Sequence, residues 1–297
     1  MDLDSCTLCP RKCSVNRNKK EKGFCGVLDT IKIARYSLHY YEEPCISGEV
    51  GSGTIFFSGC NLKCIFCQNY DISTNNKGKE ISIEEFANIC IKLQNAKALN
   101  INLVTPTMYI PLIKEALILA KEKGLTIPIV YNSSGYEDID SLKSLEGLID
   151  IYLPDFKYFD DKLGNDFSLV NNYSKYAKEA IKEMYRQVGS PVIENGIMKK
   201  GMIVRHLVLP NHIDDSKKVL KYLYDTYKDN IYISIMNQYT PVRKIDKYEE
   251  LNRTLGEEEY NSVVNYACDL GITKAFIQEG ETCKESFIPD FDIFEDI

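Results

Sequence analysis

The stretch Thr54-Ile55-Phe56-Phe57-Ser58-Gly59-Cys60-Asn61-Leu62-Lys63-Cys64-Ile65-Phe66-Cys67-Gln68-Asn69 runs from an apolar, strand-like segment straight into three thiols at C-x3-C-x2-C spacing. A coordinatively complete zinc or iron site usually takes four protein donors. Three thiolates in one tight loop can instead hold a four-iron cluster and leave one iron open to a substrate or cofactor. The same thiols also suit a zinc knuckle completed by a distant Cys or His, or a set of buried thiols without ligand.

Outward from this loop, helical and strand periodicity alternate. Ser82-Ile83-Glu84-Glu85 has the form of a capping box, after which Phe86, Ile89 and Leu93 share one helical face. Residues 101–104 read as a buried strand, 109–123 as a helix stopped by Gly124, and 127–131 as the next strand. A short helix at 141–145, a strand at 149–153 and a helix at 174–187 follow. Then come a strand at 202–209, a helix at 215–227, a strand at 231–236, a last helix at 257–270 and a strand-like segment at 274–278. Such alternation implies right-handed parallel crossovers joining six main strands, with the last segment as a candidate seventh. Periodicity leaves open a doubly wound sheet or a partial barrel. In either one the ligand sits at the carboxyl ends of the strands, where the cysteine loop lies. Residues 1–50 lack the alternation and are expected to form a cysteine-rich appendage, with 51–285 as the main unit and 286–297 as a tail.

The chain has 297 residues, 44% hydrophobic and 27% charged, enough to bury a substantial core without help from a metal. No apolar run reaches the length that crosses a bilayer. The acidic start Met1-Asp2-Leu3-Asp4-Ser5 lacks the features of an export signal, so a cytoplasmic location is expected, with the eleven cysteines as thiols or metal ligands. A net charge of -7 argues against broad nucleic-acid binding, which needs a positive surface. The glycines at 48, 51, 53 and 59 are not followed by a Lys-Ser or Lys-Thr pair in phosphate-loop register, so they read as close backbone approach around the first strand.

Cys6-x2-Cys9-x3-Cys13, followed by Cys25-Gly26, has knuckle-like spacing that can close a four-thiolate site, and both zinc and a second iron-sulfur cluster satisfy it. Cys45 is a candidate fifth donor. Cys90 and Cys268 fall in helices and read as core or helix-surface thiols, and Cys283 has no assigned role.

The C-x3-C-x2-C spacing, with its aromatic penultimate residue, resembles the signature of the radical S-adenosylmethionine (SAM) enzymes. In that family the three cysteines hold a 4Fe-4S cluster, SAM chelates the fourth iron through its amino and carboxylate groups, and one electron cleaves SAM to methionine and a 5'-deoxyadenosyl radical. Taken with Cys6-Thr7-Leu8-Cys9-Pro10-Arg11-Lys12-Cys13, Gly23-Phe24-Cys25-Gly26-Val27, the segment from Glu42 to Gly48 and Gly51-Ser52-Gly53, the chain is similar to the PflX-type proteins, relatives of the pyruvate formate-lyase activating enzyme. The similarity runs from about Cys6 to Gly280. It implies an α/β fold, a partial (β/α)6 radical SAM barrel with a small cysteine-rich N-terminal appendage.

By the same resemblance Phe66 lies against the adenine, Asn132 occupies an acidic turn position after the third strand, Lys157 of Asp155-Phe156-Lys157 meets the SAM carboxylate, and Arg205 matches an arginine on the fifth strand. One element departs: where the family has a Gly-Gly-Glu run that receives the SAM amino group, this chain has Val104-Thr105-Pro106-Thr107, whose carbonyls or hydroxyls are the candidate replacements. His206 is expected to face away from Arg205's side of its strand. His212, at the strand's carboxyl end, is expected to reach the site, as are Gln238 and Tyr239. No residue is assigned a catalytic role.

The implied activity is reductive cleavage of SAM and hydrogen abstraction from a substrate, with a glycyl-radical enzyme as the implied substrate and a low-potential donor such as flavodoxin or ferredoxin. Radical modification of a small molecule or peptide is the alternative within enzymes. A zinc-binding interaction module is the alternative from another class.

Overall fold

The computed structural model describes residues 3–278 and 289–297; Cys283 and the Glu279-Gly280-Glu281-Thr282 run before it lie outside these. Strand β1 (Ile31–His39) leads through the one-turn helix α1 (Pro44–Ser47) to β2 (Ser52–Phe57). After the cysteine loop come α2 (Tyr70–Ser73), β3 (Lys79–Ile81), α3 (Ile83–Asn95), β4 (Ile101–Val104), α4 (Ile110–Glu122), β5 (Ile129–Ser133), α5 (Ile139–Lys143) and β6 (Ile151–Pro154). The chain continues with α6 (Asp161–Ser168), α7 (Tyr173–Val188), β7 (Val192–Glu194), β8 (Ile197–Leu207), α8 (Ile213–Tyr227), β9 (Tyr232–Met236), α9 (Glu257–Leu270), β10 (Ala275–Ile277) and β11 (Glu295–Asp296).

Strands β2, β4, β5, β6, β8, β9 and β10 are neighbours in that order and pair in parallel throughout. The order never reverses. A doubly wound sheet needs such a reversal to place helices on both faces, whereas sequential right-handed crossovers keep them on one face and curl the sheet. The fold is thus an α/β partial barrel, with the seventh strand present and short. The capping box forms as the sequence predicts: Ser82 Oγ accepts from Glu85 N at 3.1 Å and Glu85 Oε2 from Ser82 N at 2.7 Å.

Three elements escape the periodicity reading. β1 pairs antiparallel with β2, so it needs no crossover helix and carries no βα signal. α6 is short and largely polar, and β7 is an antiparallel hairpin arm on the early part of β8. The outer edge of β1 is covered by the C-terminal residues: β11 pairs in parallel with it, and Tyr36 Oη donates to Glu295 Oε2 at 2.5 Å. Covering that edge removes a template for pairing with another chain.

The segment between β1 and β2 does not stay on the surface. Cys45 and Ile46 of α1 pack inside the barrel against Val130, Ile151, Leu153, Met198 and Ile203. Asn100 Nδ2 donates to the Ile46 carbonyl at 2.8 Å and Gly48, at φ +47, turns the chain out again. Among the described residues no helix is long and apolar enough to cross a membrane. Because Ile46 is fully buried in this plug, Ile46→Ala should lower unfolding stability by about 2–5 kcal/mol in urea titrations. A change below about 0.5 kcal/mol would show that α1 does not pack there in solution.

Candidate functional site

The cysteine loop leaves the carboxyl end of β2 through Gly59, at φ +82. A Cβ placed there would stand 2.3 Å from Val27 Cγ1 and 2.9 Å from the Cys25 carbonyl oxygen, so the loop is pressed against the N-terminal segment where no side chain fits. Further bonds fix it. Tyr109 Oη donates to the Ser58 carbonyl at 2.8 Å, Ile65 N to the Phe167 carbonyl at 2.8 Å and Arg243 Nε to the Ile65 carbonyl at 2.8 Å.

Cys60, Cys64 and Cys67 are brought together. Burial pushes the Cys60 thiol up, and the neighbouring Cys64 and Cys67 push it further. Cys64 is also raised by burial, against the pull of the Lys157 ammonium, and its Sγ lies 2.9 Å from Ser168 Oγ. Cys67 Sγ lies 3.3 Å from Ser73 Oγ. Thiols as reluctant to ionise as those of Cys60 and Cys64 become thiolates only with a strongly positive partner, as a metal centre is. Among the described residues no three His, Cys, Asp or Glu side chains close on a single-ion point.

Cys64, Phe66 and Cys67 form one wall of a cavity of about 540 Å³ at the carboxyl ends of the parallel strands. Across it the strand ends contribute Asn132, Asp155, Lys157 and Arg205. These four are wired together. Arg205 donates from Nε to Asp155 Oδ1 at 3.2 Å, from Nη1 to Glu42 Oε2 at 3.0 Å and from Nη2 to Asn132 Oδ1 at 2.5 Å, while Lys157 Nζ reaches Asp155 Oδ2 at 2.6 Å. Burial raises the Asp155 carboxyl, but Lys157 and then Arg205 outweigh it and hold the group below its ordinary value. Arg205 is correspondingly raised: its acids overcome the burial that opposes its charge.

The remaining expectations divide. Phe66 is nearly buried, its ring 5.8 Å from that of Tyr239, which itself donates to the Leu251 carbonyl at 2.6 Å. Gln238 lines the cavity and its carbonyl accepts from Gln68 Nε2 at 2.8 Å. His206 is buried away from the cavity, with Nδ1 2.7 Å from the Phe156 carbonyl oxygen, as alternation predicts. His212 does not reach the site. It begins α8, where its ring packs 5.1 Å from Phe167 and its Nε2 lies 3.7 Å from Glu250, so the histidine at the cavity is His39, whose pKa burial lowers to about 4. Thr107 is spent elsewhere, because its hydroxyl donates to the buried Glu137 at 2.7 Å; of that run, Val104 lines the cavity.

Cys6, Cys9, Cys13 and Cys25 surround a second, very small cavity behind the loop, shared with Asn61 and Arg11. A hairpin sets the first three: Cys6 N donates to Val15 O at 3.0 Å, Ser14 N to Cys6 O at 2.9 Å and Lys12 N to Cys9 O at 3.0 Å. A Cβ on Gly23 would fall 2.5 Å from Cys13 Sγ. Burial pushes the Cys9 thiol up to about 12. Cys45 belongs to the barrel plug, not to this group. Cys90 is buried in the core under α3, and Cys268 is exposed on α9.

Comparison with known proteins agrees with this geometry. The model of the radical SAM superfamily matches residues 54–223. An uncharacterised protein of Methanocaldococcus jannaschii is 33% identical over 89% of this chain and 74% of its own. The pyruvate formate-lyase-activating enzyme of Clostridium pasteurianum is 24% identical over 67% of this chain and 79% of its own. Among solved structures, a radical SAM methyltransferase from Sphaerobacter thermophilus superposes with a TM-score of 0.53 at 14% identity, covering 77% of this chain and 67% of that one, which speaks to the fold alone.

Two outcomes check the site. Gly59→Ala should cost more than about 2 kcal/mol of stability, and adding Val27→Ala should restore part of it by relieving the Cγ1 contact; full additivity would contradict that contact. Arg205→Met leaves buried acids unpaired and should cost about 3–5 kcal/mol. Since the Asp155 pKa is depressed on folding, its contribution is present above the unfolded value of about 3.9 and lost as pH falls through the folded one. The variant's acid unfolding midpoint should therefore move to higher pH; an unchanged midpoint would mean that Arg205 does not hold Asp155 ionised. With a family model covering more than half its length, this chain belongs to the radical SAM superfamily.

Proposed function

We propose that Cys60, Cys64 and Cys67 hold a 4Fe-4S cluster with one iron left for SAM, and that the protein abstracts hydrogen from a substrate carbon. The observation that carries this reading is the loop itself: three mutually close thiols, flanked by serine hydroxyls and the Lys157 ammonium, at the wall of a cavity that ends the parallel strands. Family membership implies both the cluster and SAM. When bound, they supply one electron and a 5'-deoxyadenosyl radical.

The chain's own residues would bind and orient. Lys157 stands where a carboxylate can be met without moving, because Asp155 already fixes its ammonium. Asn132 and Asp155 offer acceptors for ribose hydroxyls, and Arg205 holds both in place from behind. Phe66, wedged between Tyr239 and Phe167, presents a ring for the adenine. The apolar side chains of Phe56, Val104 and Leu207 line the same cavity and would help to keep water from the reacting groups.

The named relative activates pyruvate formate-lyase, which supports an enzyme of the glycyl-radical kind as the substrate; a low-potential protein such as flavodoxin or ferredoxin would donate the electron. Cys6, Cys9, Cys13 and Cys25 would hold a second metal, zinc or iron-sulfur, in an appendage limited to the chain before β1, since β1 and α1, although within residues 1–50, belong to the barrel. Residues 51–285 would then carry the radical chemistry, and 286–297 would form the tail.

Anaerobic reconstitution with iron and sulfide tests the whole reading. The expected protein is coloured and, when reduced, converts SAM to 5'-deoxyadenosine; Cys60→Ala, Cys64→Ala and Cys67→Ala each bring this to background. A colourless zinc protein inert toward SAM would falsify it. Passage of deuterium from a labelled partner glycine into 5'-deoxyadenosine supports activation, and its absence with every candidate partner favours a small molecule or peptide as substrate. Cys25→Ala should lower the metal content by one zinc or one cluster per chain, measured by elemental analysis; unchanged content would end the second-site proposal.

A further inference from the structure

The cavity holds more acid than the residues assigned to SAM require. Glu42 and Glu43 line it from the segment between β1 and the barrel plug. Glu42 is fully engaged, its Oε1 accepting from Asn102 Nδ2 at 2.8 Å and its Oε2 from Arg205 Nη1 at 3.0 Å. Glu43 is not. The residue is only 8% exposed, yet among the described residues its Oε2 is buried with no hydrogen-bond partner.

Its backbone is locked. The Glu43 carbonyl accepts from Ile46 N at 2.7 Å and Ser47 N at 3.1 Å, Pro44 follows directly, and Cys45 and Ile46 are set in the barrel core. The backbone that carries the carboxylate is therefore fixed at the cavity wall. Nor does the local charge balance. Asp155, Glu42 and Glu43 face Arg205 and Lys157; Lys157 is taken by Asp155, and Arg205 by Asp155 and Glu42. Ser234 supplies Glu43 with a hydrogen bond but no charge. Burial and the neighbouring Glu42 push the Glu43 carboxyl up against the pull of Arg205, which Asp155 and Glu42 already engage, and a positively charged ligand group entering the cavity would favour its ionised form.

The order of the polar groups says which ligand. Lys157 acts on Cys64, Asp155 holds Lys157, Arg205 holds Asp155, and Glu42 with Glu43 comes next beyond Arg205. On the proposed reading the three cysteines and Lys157 would hold the cluster and SAM, at the opposite end of this row. We propose that Glu43 receives a cationic nitrogen, ammonium or guanidinium, of the substrate from which hydrogen is abstracted. This rests on the radical SAM reading of the same cavity. The nitrogen can belong to a free amine or to a basic side chain of a peptide, since both present the same donor.

The test uses the reconstituted full-length chain in two arms. In the first, wild-type protein is reduced with SAM; failure to form 5'-deoxyadenosine ends the underlying reading whatever Glu43 does. In the second, n-butylammonium and N-acetylglycyl-lysinamide are titrated by saturation-transfer NMR with SAM present, with n-butanol as the neutral control and butyrate as the anionic one. Wild type should bind at least one cation about tenfold more tightly than n-butanol, and Glu43→Gln should lose about tenfold for that cation. The better cation identifies the source, and Glu43→Asp should keep part of the preference. Thermal unfolding of Glu43→Gln should be no lower than wild type, because the amide keeps the shape and hydrogen-bonding capacity of the side chain without an ionisable group to bury. The proposal is overturned if neither cation beats n-butanol, if Glu43→Gln binds them like wild type, or if the loss falls on SAM affinity instead. Should Glu43→Gln fail to fold, the cation preference of wild type and of Glu43→Asp decides.

Discussion

Arg205 ties together parts of the barrel that backbone pairing leaves apart. Regular β6–β8 pairing covers Ile151 with Gly201 and Tyr152 with Met202; the strands meet again at an isolated bridge between Asp155 and Arg205. There Phe156 N donates to the Arg205 carbonyl at 2.8 Å while the guanidinium reaches Asp155, Asn132 and Glu42. One side chain thus links β5, β6, β8 and the plug. Burying a guanidinium is expensive unless its donors are met, and here carboxylate and amide oxygens meet them. The position of Lys157, and hence the charge beside Cys64, follows from where Arg205 holds Asp155.

On the other side the cysteine loop is braced by the N-terminal segment. Arg11 Nε donates to the Asn61 carbonyl at 2.6 Å, its Nη2 to the Leu169 carbonyl at 2.8 Å, and its guanidinium lies 3.3 Å from the centre of the Phe24 ring. Asn61 Nδ2 in turn donates to the Tyr136 carbonyl at 2.6 Å. Cys60 and the N-terminal thiols therefore share a wall of one arginine and one asparagine, and the appendage is part of the support of the site. Precise placement of a reactive group depends on such a rigid surround.

Much of this was legible in the sequence because the relevant constraints are local. Spacing within one loop named the triad, the capping box fixed the start of α3, and strand–helix alternation put the loop at the carboxyl end of its strand. Residues whose role depends on long-range threading were not legible. Glu42 and Glu43, before a proline in a loop, read as part of a motif and gave no hint of burial; only the insertion of Cys45 and Ile46 into the barrel brings them to the cavity. His212 has the right chain position but the wrong direction, since it already starts α8. His39 was hidden for the opposite reason, at the end of an antiparallel strand that alternation does not announce.

The account stands or falls on a single iron with no protein ligand of its own. Mössbauer spectroscopy of the protein reconstituted with iron-57, recorded before and after SAM is added, reads that iron directly. SAM is predicted to change the spectrum of one iron of the cluster and leave the other three as they were. A cluster whose irons are all indifferent to SAM would contradict the account.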